Sequence, residues 1–309
     1  MTGLYKNFDG YDRFDFPEGI YRVTAGNGGE SFLIDGDEKT GIYDCGMAYC
    51  HRGLIENIER VLKEIGKDKL DYVFMSHTHY DHIGALPYII ERWPEVCVVG
   101  AEKAKKVFES EGAKKTMERL GTAARGRFAE DKDKDASITA KGMRVDMVVK
   151  TGDSIDLGNR KVVAYETKGH TDCSITYFLE PDKVMFASES TGVLRAPGLM
   201  HTAILKDYDQ TIESVEICRN LGAKQIIGNH YGVVPEFYTD EYFDLYIRSA
   251  EDEKNYILEL GRKGLDYDGV LQGYRDKYWS YQRALVQPEE AFMENARYTT
   301  RHIIDKFLK

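Results

Sequence analysis

The sequence predicts an α/β protein, a four-layer αβ/βα sandwich with a C-terminal helical extension. Three observations predict it. Short apolar runs bounded by Gly and Asp alternate with helical periodicity in the order β-rich, α, β, α, then β-rich, α, β. The two β-rich halves look alike in architecture, although no sequence repeat links them. From residue 239 onward the chain turns mostly helical and rich in Tyr.

Residues 19–24, 31–34 and 41–44 read as strands separated by turn signals such as Gly26-Asn27-Gly28-Gly29. Leu54, Ile55, Ile58, Val61, Leu62 and Ile65 fall at helical spacing and predict a helix over 54–65. An apolar strand over 70–75 runs into Ser76-His77-Thr78-His79-Tyr80-Asp81-His82, and a helix over 83–92 stops at Pro94. Residues 96–99 form another strand, with a helix starting near Ala101. Residues 112–137 are charged and Gly/Ala-rich and predict a surface helix and a solvated loop, the latter carrying the charge run 130–135. Strands return at 145–149, 161–166, 174–179 and 183–187, followed by a helix over 208–221 and a strand over 225–227. Helices over 241–262 and 288–308 flank the aromatic cluster Tyr274, Tyr278, Trp279 and Tyr281. The expected division is a core domain, 1–238, and a helical extension, 239–309, serving as a lid, a homodimer surface or both.

Bulk properties narrow the function. The net charge of −10 disfavours the basic stripe of a nucleic-acid binder, so no nucleic-acid partner is expected. No apolar stretch has the length of a membrane span, and residues 1–28 lack the apolar segment of a signal peptide, so no membrane partner and a cytoplasmic location are expected. Five scattered cysteines without a CxxC pair suggest buried free thiols rather than a disulfide framework.

Chemistry concentrates in one place. Of eight histidines, His77, His79 and His82 fall within six residues together with Asp81. Imidazole and carboxylate are the ligands that zinc, iron and manganese accept. A strand ending in a loop can send His77 and His79 to one side and turn Asp81 and His82 toward a neighbouring position. Adjacent residues serve one ion poorly, so this spacing favours two ions close together. A lone loop histidine is usually just polar surface; four ligand-type residues in six positions are not.

These residues resemble the metallo-β-lactamase superfamily, whose HxHxDH signature is matched in full by residues 76–86. The resemblance, to glyoxalase II and lactonase-like hydrolases in particular, covers residues 19–234. It implies that His170, in Gly169-His170-Thr171-Asp172-Cys173-Ser174, completes the first ion's ligands, and that His230, after Gly228-Asn229, joins Asp81 and His82 on the second. The family's bridging Asp is replaced by Glu189 in Phe186-Ala187-Ser188-Glu189, which leaves open whether Glu189 bridges, binds one ion, or swings out. Asp44, in Tyr43-Asp44-Cys45-Gly46, resembles the Asp that supports the family's metal loop. Cys173 is read as a packing residue.

The resemblance further implies a binuclear hydrolase with two divalent metal ions, zinc first, with iron or manganese as alternatives. A metal-bridging hydroxide would attack a small ester, thioester or lactone, with Asp81 as catalytic proton carrier. Tyr80 and Tyr231, neighbours of ligands, and His201 are the candidate substrate-binding residues; Tyr278, Trp279 and Tyr281 are weaker ones. His51 and His302 are read as ordinary surface histidines. Three alternatives stand beside hydrolysis of a small molecule: a phosphodiesterase, a mononuclear-iron oxidoreductase resembling sulfur dioxygenase, and a signal-response regulatory protein with a vestigial site. Flavodiiron proteins replace the motif's second His with Glu and carry a flavodoxin domain, and neither is seen in this sequence.

Overall fold

A computed structural model describes residues 17–309 apart from 197, 235 and 286; residues 1–16, counted above with the core domain, lie outside the described residues. Two six-stranded sheets form the inner layers. The first runs β1 (Ile20–Arg22), β2 (Phe32–Asp35), β3 (Thr40–Tyr43), β4 (Tyr72–Phe74), β5 (Cys97–Gly100) and β6 (Met147–Val148), side by side in that order. Its first three strands are antiparallel, and β3 to β6 are parallel. The second contains β7 (Ser154–Asp156), β8 (Lys161–Glu166), β9 (Ile175–Glu180), β10 (Val184–Ala187), β13 (Gln225–Gly228) and β14 (Val233–Val234), in the order β14-β13-β10-β9-β8-β7. There β10 and β13 pair in parallel. A separate hairpin joins β11 (Val193–Ala196) to β12 (Leu199–His201).

The period-2 alternation of strands sorts side chains into two cores. On the faces between the sheets, Tyr43 meets Phe186 at 5.2 Å between ring centroids and Phe74 meets Tyr177 at 5.4 Å. Two phenols fasten the sheets: Tyr43 donates to the Ala187 carbonyl (2.8 Å) and Tyr177 to that of Met75 (3.0 Å). The intervening residues Met185, Ile226 and Val234 face the other way, into a second core with Val215 and Cys218 of helix Tyr208–Asn220. Tyr242, Tyr246, Ile257, Tyr274, Phe292 and Ile303 of the C-terminal helices join that same core. The C-terminal helices therefore cover the outer face of the second sheet and share its core. On the first sheet, helix His51–Glu64 buries Leu54, Ile58, Val61 and Leu62, one apolar stripe.

Several expectations need correction. The helix expected over 83–92 is two pieces, Tyr80–Ile83 and Leu86–Arg92; between them the Ala85 N–H bonds to the Gly46 carbonyl (3.3 Å) and the His82 carbonyl accepts from the Cys45 N–H (2.6 Å) instead of bonding within a helix. Helix Glu111–Phe128 is not merely a surface helix, since Met117, Gly121 and Ala124 are buried. Strands β7, β11, β12 and β14 were not expected; at two to four residues each they carry too little periodicity to register. His51 stacks on Tyr88 (3.8 Å, 7°), and His302 accepts a hydrogen bond from the Tyr208 N–H (2.9 Å), so both are half-buried structural residues.

Candidate metal centre

The site forms where parallel strands of both sheets end, a position at which loops carry side chains toward a common crevice. From the first sheet, the loop after β3 brings Asp44, and the loop after β4 brings His77, His79, Asp81 and His82. From the second, Glu189 follows β10, His230 follows β13, and His170 sits between β8 and β9. The pairing of Tyr43 with Phe74 and of Ala187 with Gly228 sets these loops level with one another. Gly169 adopts φ +120°, and a side chain there would collide with Thr211, so the turn presenting His170 requires glycine.

Two donor groups result. One ligand atom each from His77, His79, His170 and Glu189 lie within 4.8 Å of one another, and the same holds for Asp81, His82 and His230. The sequence-predicted ligands are thus all brought together, divided as the loop spacing implied. Glu189 stands between the two groups. Its Oε2 lies 2.7 Å from His170 Nε2 and 3.8 Å from His77 Nε2, while its Oε1 lies 2.7 Å from His230 Nε2 and 3.8 Å from His82 Nε2. One carboxylate oxygen faces each group. Asp81 Oδ2 stands 3.6 Å from the Nε2 atoms of both His82 and His230.

Hydrogen bonds to the far side of each ring orient the imidazoles. His82 Nδ1 donates to Asp44 Oδ2 (3.2 Å), His170 Nδ1 to the Ala203 carbonyl (2.7 Å), His230 Nδ1 to the Gly28 carbonyl (3.2 Å) and His77 Nδ1 to Ser76 Oγ (2.9 Å). Each bond turns Nε2 inward, toward the donor groups. His79 differs, presenting Nδ1 at 3.1 Å from His170 Nε2.

Electrostatics follow from crowding. Burial, then the neighbouring His82, His79 and His170, hold His77 well below the usual imidazole range; burial and His170 push His79 down to about 3. Burial opposes charge on His82 and His230 too, but around His82 the acids Asp81, Asp44 and Glu189 outweigh it, and around His230 Glu189 and Asp81 do, so both are raised. Burial likewise opposes charge on Glu189, yet His170, His230 and His82 hold it well below the usual carboxylate range.

The residues fit a metal. Among the described residues the buried Nε2 atoms of His77 and His82 have no hydrogen-bond partner, and leaving a buried polar atom so costs about 1–3 kcal/mol. Five imidazoles and two carboxylates with converging lone pairs form the nitrogen and oxygen donor set that borderline divalent cations accept.

A cavity of about 560 Å³ opens in front of the centre. His79, Asp81, His170, Glu189 and His230 reach it, and so do the three candidate substrate-binding residues, Tyr80, Tyr231 and His201. Tyr278 and Trp279 instead pack around Tyr274 and Phe292, and Tyr281 is exposed. Thr116 and Leu120 of helix Glu111–Phe128 and Ala291, Asn295 and Tyr298 of helix Glu289–Phe307 also line the cavity. Cys173 is buried beside Thr78 and Thr171, at 3.4 and 3.3 Å from their hydroxyls, and belongs to neither donor group.

Sequence reasoning missed three kinds of residue. Ser76 and Asn229 adjoin ligands and make side-chain bonds to Asp44 (2.6 and 3.1 Å), an adjacency that offered a signal. Arg195 and Arg283 line the cavity with no local motif to mark them. Lys206 lines it as well.

Residues 25–230 match the sequence model of the metallo-beta-lactamase superfamily. Over 163 residues, 52% of this chain, the sequence is 26% identical to a coenzyme F420H(2) oxidase of Methanothermobacter marburgensis; that match spans only 34% of the oxidase. Over 125 residues, 40% of this chain and 36% of the relative, it is 27% identical to a hydroxyacylglutathione hydrolase of Buchnera aphidicola. Among solved structures, a metallo-beta-lactamase family protein from Thermus thermophilus superposes with a TM-score of 0.63 at 14% identity, covering 94% of this chain and 93% of that one. That likeness speaks to the fold alone. Among the described residues no helix is long and apolar enough to cross a membrane.

Proposed function

This chain belongs to the metallo-beta-lactamase superfamily, and from that premise we propose that it is a hydrolase that uses two divalent metal ions, zinc in the first place, to cleave a small ester, thioester or lactone. The observation that carries the reading is the bounded cavity of about 560 Å³ directly in front of the two donor groups. Its volume lies within the range of small-molecule sites, roughly 300–1,000 Å³. Residues of two helices contribute to its wall, and Met47, Leu120, Val193 and Leu205 make part of that wall apolar, which suits a small acyl substrate.

His77, His79 and His170 would hold one ion and Asp81, His82 and His230 the other, with Glu189 offering one oxygen to each. When bound, such ions supply a water that ionises near neutral pH and polarise the scissile carbonyl. Asp81 is part-exposed at the cavity and has a carboxylate oxygen to accept the attacking water's proton and pass it to the leaving group. His201, which burial and the Arg283 and Arg195 charges keep neutral, lines the wall beside the centre with Tyr80 and Tyr231, where the three orient the acyl chain.

A panel of thioester, lactone, aryl ester and phosphodiester substrates, assayed on wild type and Asp81→Asn with metal content measured, tests this. Turnover of a carboxylic substrate that falls by about 10²- to 10⁴-fold in Asp81→Asn is expected. Equal turnover by the variant would remove Asp81 from the reaction, and activity confined to the phosphodiester would replace the substrate class.

A second reading, oxidoreductase, is supported by the match to the F420H(2) oxidase. Iron in protein purified without added metal, together with substrate-dependent oxygen consumption, would favour it over hydrolysis.

A further inference from the structure

Four cationic side chains line the cavity: Arg22, Arg195, Lys206 and Arg283. Two are occupied. Arg22 pairs with Glu30 (2.6 Å), and the Lys206 ammonium sits over the Tyr298 ring at 5.4 Å. Arg283 is different. It is 5% exposed, its guanidinium lies over the Phe292 ring at 4.9 Å, and among the described residues its Nη1 has no hydrogen-bond partner. Among the described residues no carboxylate pairs with it. The buried acid in its surroundings, Glu253, acts on it only from a distance and is held by hydrogen bonds from Thr202 and Tyr274. Arg195, on β11, makes no ion pair or side-chain hydrogen bond among the described residues. The two charges act on each other and flank His201, which also feels Glu189 and His170.

The acids that share the cavity wall do not offset these charges. Glu30 is committed to Arg22, Glu189 and Asp81 belong to the donor groups, and Glu294 and Glu130 lie at the exposed rim beside Arg297 and Lys132. A buried guanidinium with no carboxylate in direct contact is costly unless something supplies one, and its planar donors suit an oxyanion.

We propose that Arg283 and Arg195 form an anion subsite in this cavity, so that the substrate carries a carboxylate or phosphate remote from the bond that is cleaved. This rests on the hydrolase reading and narrows its substrate class. Arg283 comes from the helical segment beyond the residues matched by the superfamily, so the subsite is an addition of this chain's C-terminal region.

The test uses the metal-loaded full chain and an aryl ester series of one chain length, ending in methyl, carboxylate or phosphate. Wild type should prefer an anionic ester over the neutral one by about tenfold or more in kcat/KM, as charge-assisted bonds imply. Arg283→Gln and Arg195→Gln should each cut that preference about tenfold, and Arg283→Lys should keep part of it. The arm that wins distinguishes carboxylate from phosphate. Calorimetry with glutarate and with inorganic phosphate reads the subsite without turnover, and binding of one of them should weaken about tenfold in the same variants. If no ester is cleaved, the hydrolase reading fails while calorimetry still decides the subsite. Equal turnover of neutral and anionic esters by wild type overturns the proposal. So does anion binding unchanged in both Gln variants at wild-type metal content, which places the anion on the metals. Should Arg283→Gln not fold, Arg195→Gln, on a part-exposed strand residue, decides between these outcomes by itself.

Discussion

Asp44 and Ser76 are joined by two hydrogen bonds: the Ser76 N–H donates to Asp44 Oδ1 (2.8 Å) and the Ser76 hydroxyl to Oδ2 (2.6 Å). Asp44 holds this place in the left-handed backbone region, φ 52°, where a non-glycine residue is under strain. Its Oδ2 also accepts from His82 Nδ1 and from Asn229, which ties loops of both sheets to one buried carboxylate. Asp44→Asn replaces an acceptor with a donor facing these donors. The variant should bind metal about 10- to 100-fold more weakly, as measured by competition with a chelator, and lose about 2 kcal/mol in urea unfolding. Unchanged metal affinity would show that the carboxylate does not orient the loop.

Glu189 presents one oxygen to each donor group, so its charge matters to both. Glu189→Gln should leave no more than one ion per chain after dialysis, whereas Glu189→Asp should retain part of the second. Elemental analysis reads the stoichiometry. Two ions retained by the Gln variant would mean that the carboxylate charge is not what holds the pair together.

Removing metal should also cost stability, because it leaves the Nε2 atoms of His77 and His82 buried without a partner. At free metal a thousandfold above the dissociation constant, binding adds about 4 kcal/mol. Chelation followed by calorimetric melting should lower Tm, and adding zinc back should restore it. A melting curve that ignores verified metal loss would contradict the role given to these histidines.

Glu253 gives a pH signature away from the metal. Burial pushes its carboxyl from an ordinary value of 4.5 up to about 7. The folded state therefore binds the proton more tightly than the unfolded chain. That contribution is complete below about pH 4.5 and is lost as pH rises through 7, a change on the order of 3 kcal/mol. Glu253→Gln should gain stability relative to wild type between pH 5 and 8, read as the difference of two urea unfolding series. A difference that stays flat over that range would show that Glu253 is ionised throughout.

The donor set was legible largely from residues 77–82, because six residues at the end of a strand have few ways to point and four of them carry ligand chemistry. His170, Glu189 and His230 were reachable through the resemblance to a family, since each sits in a short recognisable element. The sandwich itself followed from strand and helix periodicity, although strands of a few residues and the break between Ile83 and Leu86 escaped it. Tertiary structure alone decided which way each oxygen of Glu189 faces, because that depends on the parallel pairing of β10 with β13 and on how the sheets pack across Tyr43 and Phe186. It alone brought Arg195 and Arg283 to the cavity. An arginine carries no periodicity and no motif, and its meaning here comes from lining a cavity with no ion pair of its own, a property of packing rather than of the residue.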